Sequence, residues 1–543
     1  MKRLAARLAA DPRLRRYASL VREDMTATYA RDLRKWLIVA PILGVATGLL
    51  ITAIIEVILR IIWPRVLALD LAHPAAIVPT LTLGLVAAGL IMQYLTPDPD
   101  EHSTEEIIRA YHERDGRIDL RPFVPKLLAA VATVGLGGSA ALEGPSVYGG
   151  GALGSWLWSR LRFAKLTPRD RRILLISGAA AGMSAVFRAP LTGIVFALEM
   201  PYKDDLAHEA LLPSLIASVV AYATMAAFVG SSPVFDFIAA PGYSRHDLWW
   251  SAALGAACGL VVMTFNITFR RFREFARRSR LPHWGKMAAG GALTGVCGLA
   301  FVSFYRGTLI PIGPNYEAVA QILRTPHPSS ELLVFSVLKL AATLFSLGVG
   351  GVSAMFVPLF LVGGAVGTAF AQSIVHAPVP QLFAAVGMAA FIAGGYKTPL
   401  TAVVFVAEAT GGHAFIVPTL VGAAVAYAVS GESSVSGDQR LHETVPVAEL
   451  LGVTVGDVMR RDAAAFDPQA VRGCPRVSRQ QDLQGALRLL LRTPEPQLLV
   501  VTGDDGAPLG VVTAVDILTA IDRTDADGPR RESHPPGAAG APS

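Results

Sequence analysis

Two blocks of sequence occur twice in this chain, and this internal repeat limits its fold to one built from two homologous halves. Pro145 aligns with Pro358, 213 residues later, and a glycine-rich apolar run follows each proline. A second block, residues 187–199, recurs as residues 396–408 at an offset of 209. Because both blocks recur in one order and at nearly one spacing, the two halves are predicted to fold alike.

The chain is much more apolar than a soluble protein. Of its 543 residues, 52% are hydrophobic and 17% are charged, whereas soluble domains carry about 25% charged residues. Several apolar runs approach the roughly 20 residues that a helix needs to cross a bilayer: 36–63, 75–94, 211–229, 248–269, 287–304 and 332–347. Shorter apolar stretches are broken by Gly and Pro, which favours half-helices and re-entrant segments. We therefore expect an all-α polytopic membrane protein.

In each half, a short small-residue motif precedes the proline. Since proline is well tolerated in the first turn of a helix, residues 142–145 and 355–358 are predicted to be two helix starts. Their free backbone N–H groups can bind an anion without a fixed Lys or Arg, which would hold it too tightly for fast release. Transporter repeats commonly place the substrate site at their interface. Glu143 is a lone carboxylate in this apolar setting, where the default interpretation is functional.

Composition divides the chain into five predicted segments. They are a basic N-terminal helix (1–33), a transmembrane domain (34–430, with halves at about 75–230 and 285–430), a linker (431–454), a small α/β module (455–522) and a disordered tail (523–543). Residues 1–35 contain ten Lys/Arg and four Asp/Glu, which by the positive-inside rule predicts that the N-terminus lies in the cytoplasm. The C-terminus is expected there as well, and the protein is expected in the cell's inner (plasma) membrane. The net charge of +6 reflects the same bias, so nucleic acid is not an expected partner.

The two motifs resemble those of the CLC family of chloride channels and chloride/proton exchangers. Residues 141–145 resemble the family's Gly-Lys/Arg-Glu-Gly-Pro, residues 354–358 resemble its Gly-x-Phe-x-Pro, and the doubled Pro-Leu-Thr…Glu blocks are also similar. The resemblance covers about residues 30–440. It implies the CLC fold, with two inverted repeats per subunit, in a homodimer that has one chloride pore in each subunit.

The resemblance also implies roles for individual residues. Glu143 would be the gate, occupying the anion path when deprotonated and leaving it when protonated or displaced. The backbone amides of Leu142, Glu143, Gly144, Met355 and Phe356 would bind the anion. No enzymatic activity and no cofactor other than bound chloride is implied for the membrane domain.

Three positions depart from the family pattern. Residues 101–105 stand where the family has Gly-Ser-Gly-Ile-Pro, so His102 takes the position of the anion-binding serine, with Ser103 as the alternative. No tyrosine occurs in residues 434–439, where the family's inner tyrosine is expected, and Ser436 is its nearest equivalent. Met200 occupies the position of the exchangers' internal proton-transfer glutamate.

These departures favour passive or weakly proton-coupled chloride transport, because methionine cannot carry a proton and the missing tyrosine would open the inner side. A coupled chloride/proton antiporter is the first alternative. The second is a nucleotide-sensing membrane protein with a degenerate pore. Glu199 and Glu408, at equivalent repeat positions, are interpreted as structural carboxylates at helix ends.

The C-terminal segment, 455–522, resembles a single CBS module. Residues 510–516 match the module's Gly-h-h-Ser/Thr-x-x-Asp pattern, in which Thr513 and Asp516 would contact the phosphate and ribose of an adenosine nucleotide. A helix is predicted at 481–491, strands at 498–502 and 509–513, and a hairpin turn at 504–506. No metal site is expected, because the acidic residues and histidine at 204–209 lie in a hydrophilic loop.

Overall fold

The computed structural model describes residues 29–161, 166–232, 235, 242–305, 309–410, 413–441, 454–460, 474–490, 498–503, 508–513 and 516–517. Most of the N-terminal helix and the linker, the turn at 504–506 and the C-terminal tail, all predicted above, lie outside these residues. The chain divides into two compact units between His442 and Glu443.

The first half of the membrane unit consists of helices that differ widely in length. Helix α1 (Tyr29–Ile55) continues through a π-helical segment (Glu56–Ile62) into α2 (Trp63–Ala72). The helices that follow are α3 (Ile77–Leu95), α4 (Ser103–Glu113), α5 (Phe123–Gly135), α6 (Glu143–Arg160), α7 (Pro168–Phe187), α8 (Pro190–Glu199) and α9 (Leu211–Val229).

The second half is also helical. Its helices are α10 (Arg245–Arg278), α11 (His283–Phe304), α12 (Glu317–Arg324), α13 (Ser329–Gly348), α14 (Phe356–Phe370), α15 (Gln381–Tyr396), α16 (Pro399–Thr410) and α17 (Ile416–Val429). Across the described residues, seven helical segments are long and apolar enough to cross a membrane. The shorter apolar helices, among them α5, α8, α15 and α16, are the broken segments that the Gly and Pro pattern predicts.

The approach to each predicted helix start is the same in both halves. The side-chain oxygen of Ser346 accepts a hydrogen bond from the backbone N–H of Ser139 at 3.1 Å. In return, the hydroxyl of Thr133 accepts one from the N–H of Val352 at 3.2 Å. Thr133 and Ser346 are 213 residues apart, as are Ser139 and Val352. Each half therefore orders the loop that leads into the other half's motif, which is the contact pattern of a two-fold repeat.

The glycine-rich runs allow helix backbones to touch. A Cβ on Gly150 of α6 would collide with the carbonyl oxygen of Gly178 on α7. The equivalent pair in the second half, Gly363 of α14 and Gly387 of α15, meets in the same way. A side chain at any of these positions would push the two helices apart. The glycines thus serve helix packing as well as any role at the anion site.

Glu199 and Glu408 each cap a helix in the opposite half. The carboxylate of Glu199 accepts hydrogen bonds from the backbone N–H of Thr401 at 2.8 Å and of the preceding residue at 3.0 Å. The carboxylate of Glu408 accepts from Thr192 at 2.7 Å and from its preceding residue at 3.0 Å. A negative charge is stabilising at a helix N-terminus. These contacts agree with the interpretation of both glutamates as structural.

The C-terminal unit contains a three-stranded sheet in the order β1-β2-β3. β1 (Arg476–Ser478) pairs parallel with β2 (Leu498–Thr502), which pairs antiparallel with β3 (Pro508–Thr513). Two short helices, α18 (Val455–Val458) and α19 (Leu483–Leu490), complete the described part. The predicted helix and two strands agree with α19, β2 and β3, whereas β1 was not predicted because three residues give too little alternation to recognise.

Candidate functional site: two helix N-termini and a buried carboxylate

The two predicted helix starts face each other inside the protein. Helix α6 begins at Glu143 and α14 begins at Phe356, in agreement with the sequence. Just before these starts, the backbone N–H of Ala141 donates to the carbonyl oxygen of Ala354 at 3.0 Å. These two alanines are equivalent positions of the repeat. The interface between the halves therefore lies where both helices present their free N–H groups.

A glycine makes this close approach possible. A Cβ on Gly144, in the first turn of α6, would lie 2.7 Å from the carbonyl carbon of Ser353. The Ser353 hydroxyl in turn donates a hydrogen bond to the carbonyl oxygen of Ala141. A larger residue at 144 would separate the two motifs and move the N–H groups of one helix away from those of the other.

The carboxylate of Glu143 occupies the donor site of the opposite helix. Its Oε1 accepts a hydrogen bond from the backbone N–H of Phe356 at 2.6 Å. The side chain has no exposed surface, and its Oε2 is buried without a hydrogen-bond partner among the described residues. A carboxyl group held in this way can either carry a proton on Oε2 or leave the amide to another anion.

Two tyrosine hydroxyls cap the neighbouring amides. The Tyr396 hydroxyl accepts from the backbone N–H of Met355 at 3.0 Å, and the Tyr316 hydroxyl accepts from Leu142 at 3.4 Å. Met355 and Leu142 are the residues that immediately precede α14 and α6. Each helix N-terminus therefore has a tyrosine oxygen on its first free amide.

A cavity reaches this site and brings several sequence-predicted residues together. Its lining includes His102, Ser103, Met200, Met355 and Ser436. Leu142, Glu143 and Gly144 are not in the lining, whereas Tyr396 and Met355, which are joined by a hydrogen bond, both are. The structure thus brings the proposed anion-binding residues of both motifs close together, and the buried Glu143 carboxylate is not part of the cavity lining.

The residues at the altered family positions have their own local partners. The Nδ1 of His102 lies 3.2 Å from the hydroxyl oxygen of Ser103. Ser103 has a φ of +61°, in the left-handed region that favours glycine, and it stands where the family motif has its second glycine. The hydroxyl of Ser436 accepts from the N–H of Asp438 at 3.4 Å. Ser436 therefore lines the cavity without a hydrogen bond to the helix amides.

Charged side chains line or flank the cavity. The Arg273 guanidinium lies 2.6 Å from a carboxylate oxygen of Glu105, and both residues line the cavity. Arg109 pairs with Asp438 at 3.0 Å and with Glu101 at 3.5 Å. The positive charges at and near the cavity are therefore paired with carboxylates.

Sequence reasoning missed the role of Tyr396 at this site. The residue begins the second copy of the repeated block and aligns with Phe187 of the first copy. The signal in the sequence was that the second copy has a tyrosine where the first copy has a phenylalanine. Only packing could reveal it, because Tyr396 and Met355 are 41 residues apart in the chain.

In the C-terminal unit, the two residues of the predicted nucleotide site bind each other. Asp516 accepts hydrogen bonds from the Thr513 backbone at 3.0 Å and hydroxyl at 2.7 Å, and it also pairs with Arg460. Burial alone would raise the pKa of Asp516, but these hydrogen bonds outweigh it and hold that pKa below its usual value of 3.8. Nucleotide binding at Thr513 and Asp516 stays a prediction.

Comparison with known proteins agrees with this architecture. Solved structures with the same fold include a CLC-type fluoride/proton antiporter (20% identity, TM-score 0.66, covering 77% of this chain and 100% of that one). A slow cyanobacterial Cl⁻/H⁺ antiporter is similar as well (24% identity, TM-score 0.64, covering 73% and 94%). The CLC fold expected from the sequence is therefore confirmed.

Relatives by sequence are also CLC proteins. The H(+)/Cl(-) exchange transporter ClcA of Yersinia pestis bv. Antiqua (strain Angola) is 29% identical over 403 residues, which cover 71% of this chain and 82% of the relative. A putative chloride channel protein, ClcB-like, of Ralstonia nicotianae is 28% identical over 358 residues, covering 64% and 80%. The model of the voltage gated chloride channel family matches residues 83–431, and the chain belongs to that family.

Proposed function

We propose that this protein exchanges chloride for protons across the membrane, along a path between the N-termini of α6 and α14 that Glu143 gates. The observation that carries this proposal is the Glu143 carboxylate on the Phe356 amide, with its second oxygen buried and unpartnered. The sequence alone favoured passive transport. The closed path, and the exchange activity named for the ClcA relatives, favour the antiporter alternative instead.

The exchange follows from competition for one set of donors. An ionised Glu143 and a chloride ion both need the N–H groups at the start of α14, so the two anions exclude each other there. A proton on Oε2 removes the carboxylate's charge and weakens its hold on the Phe356 amide. Chloride then occupies the donors contributed by Leu142, Glu143, Gly144, Met355 and Phe356. Backbone donors suit fast turnover because they carry only partial charge.

The proton route has to differ from one that uses a glutamate at position 200. Met200 is buried and lines the cavity, but it has no titratable group. The same cavity reaches His102 and Ser436, whose polar groups support water. We assign proton delivery to water in this cavity, with His102, Ser103 and Ser436 contributing to the anion's passage. This route predicts looser coupling than a dedicated carboxylate would give.

The remaining parts of the proposal concern assembly and location. The protein is proposed to act as a homodimer with one path per subunit, in the inner (plasma) membrane and with both termini in the cytoplasm. The basic N-terminal segment supports this orientation.

Reconstitution in liposomes tests the proposal. A chloride gradient imposed at zero membrane potential, set with valinomycin and equal potassium, should drive protons uphill, and an external pH electrode records them. Chloride efflux without proton movement would contradict exchange and support the passive channel, which the methionine at position 200 favours. No efflux from vesicles that contain correctly folded protein would contradict both and leave the nucleotide-sensing alternative.

A further inference from the structure

The segment expected to supply an inner tyrosine lacks one, and its nearest hydroxyl is engaged elsewhere. Ser436 accepts a hydrogen bond from the N–H of Asp438 at 3.4 Å. Nothing in residues 434–439 carries a phenol. Closure of the proposed anion path on the cavity side therefore requires a residue from outside 434–439.

Tyr396 lies at the required position. Its hydroxyl accepts from Met355, and Met355 is directly followed by Phe356, whose N–H is taken by Glu143. Two consecutive backbone N–H groups at the start of α14 thus donate to two different side chains, Tyr396 and Glu143. Tyr396 lines the cavity, whereas Glu143 does not. Among the described residues, no oxygen accepts the proton of the Tyr396 hydroxyl, so this proton can be donated to an anion.

Residues 434–439, which lack the expected tyrosine, contact the C-terminal end of α15, where Tyr396 lies. The side-chain amide of Gln439 donates to the carbonyl oxygen of Tyr396 at 2.9 Å, and the N–H of Val435 donates to that of Gly395 at 2.9 Å. Lys397 then ends α15 with a φ of +60°. The position of the phenol is therefore fixed by the same loop in which the family's tyrosine is expected.

Aromatic packing limits the ring to a small movement. The Tyr396 ring lies 5.6 Å from that of Phe356 and 6.2 Å from that of Phe196, centroid to centroid. Both neighbours are buried. The ring therefore packs against Phe356 and Phe196 on part of its surface and borders the cavity on another part.

We propose that Tyr396, from the end of α15, closes the anion path on the cavity side and donates its hydroxyl proton to the anion bound at the Met355 and Phe356 amides. The residue determines anion binding and replaces, from a different helix, the tyrosine missing from 434–439. This inference rests on the proposed anion path, but it concerns binding and is testable without transport.

The alternative is a purely structural role, in which the Tyr396 hydroxyl only provides a hydrogen-bond acceptor for the buried Met355 N–H. The structure provides a matched control for it, because Tyr316 makes the equivalent contact with Leu142 on the other helix and does not line the cavity. A purely structural hydroxyl should behave alike at both positions. An anion ligand reached from the cavity should be sensitive at Tyr396 alone.

Isothermal titration of the full-length protein in detergent with chloride tests the proposal, using Tyr396→Phe, Tyr316→Phe and Ser436→Ala. We expect Tyr396→Phe to weaken chloride binding about tenfold, which corresponds to one hydrogen bond to a charged group. Tyr316→Phe should stay within about twofold of the unmodified protein, and Ser436→Ala should weaken binding less than Tyr396→Phe does. Tyr396→Met, which keeps an apolar chain of similar reach, serves if the phenylalanine variant is not monodisperse, and the same loss is expected.

Two results would overturn the proposal: binding unchanged in the Tyr396 variant, or an equal loss in the Tyr316 variant. A tenfold loss confined to Ser436→Ala would return the role to the sequence-predicted position. Liposome flux separates this inference from the proposed function, because absent exchange in the unmodified protein contradicts the function, whereas the titration still decides the role of Tyr396.

Discussion

Lys126 and Lys339 occupy equivalent positions of the two halves, 213 residues apart, yet only Lys126 pairs with a carboxylate. Its Nζ lies 2.6 Å from Oε2 of Glu106, and both side chains are buried. The Nζ of Lys339, with no exposed surface, donates to the carbonyl oxygen of Gly313 at 2.9 Å. The repeat preserved the lysine while the surroundings diverged.

This difference predicts unequal effects of the same substitution. Lys126→Met leaves the Glu106 charge buried and unpaired, so we expect a loss of about 3–5 kcal/mol in the free energy of unfolding. Lys339→Met leaves only a carbonyl oxygen unpaired and should cost no more than about 1–2 kcal/mol. Urea-induced unfolding of the detergent-solubilised protein, followed by tryptophan fluorescence, measures both. Adding Glu106→Gln to Lys126→Met should recover part of the loss, and equal losses in the two single variants would contradict the assignment.

Substitution of Glu143 tests the gate. In the unmodified protein, flux should rise as the pH falls, because protonation releases the carboxylate from Phe356. Glu143→Ala should keep chloride flux but lose both this pH dependence and proton movement. Glu143→Gln should also lose proton movement, with lower flux, since its amide oxygen can still accept from Phe356. Glu317→Gln, an exposed glutamate beside Tyr316, is the control and should behave as the unmodified protein.

The reciprocal caps predict a graded loss of stability. Glu199→Ala removes the acceptor for two backbone N–H groups and the hydroxyl of Thr401, so we expect a loss of about 2–3 kcal/mol. Glu408→Ala should cost less, because its side chain is only half-buried and water can replace it. Thermal unfolding midpoints provide the comparison. If proton movement disappeared in a stable Glu199 variant, its structural assignment would be wrong.

The backbone of Ser103 predicts which residues are tolerated there. Since its φ is +61°, Ser103→Gly should change the free energy of unfolding by less than about 1 kcal/mol, whereas Ser103→Val should cost about 2 kcal/mol because a β-branched residue is strained in this region. Thr104→Val is the matched control at the first turn of the same helix. If Ser103→Val left the free energy of unfolding unchanged, the left-handed backbone conformation of residue 103 would be wrong.

The hydrogen bonds of Asp516 predict a pH-dependent C-terminal unit. Because its pKa in the folded state lies below 3.8, its contribution to stability is complete above that pH and is lost as the pH falls through the lower folded value. Asp516→Asn should therefore reduce amide hydrogen-exchange protection in β2 and β3 at pH 7, with the difference shrinking below pH 3.8. Arg460→Gln should give part of the same loss. A difference that persists unchanged in acid would exclude the carboxylate as its source.

Much of the architecture was predictable because it depends on local sequence. The doubled blocks predicted two like halves, the position of proline after a small-residue motif predicted the starts of α6 and α14, and the isolated carboxylate singled out Glu143. These signals depend on spacing along the chain and on the cost of a charge in an apolar setting. β1 was missed because a three-residue strand has too little pattern.

The sequence by itself determined the membrane class, the two halves, the two helix starts and the carboxylate between them. Only the tertiary structure decided that Tyr396 rather than Ser436 meets the Met355 amide, and that Lys126 rather than Lys339 faces a carboxylate. These are contacts between residues far apart in the chain, and each depends on how two helices cross and where a loop ends. Repeat symmetry makes such positions look equivalent in the sequence, whereas packing gives them different neighbours.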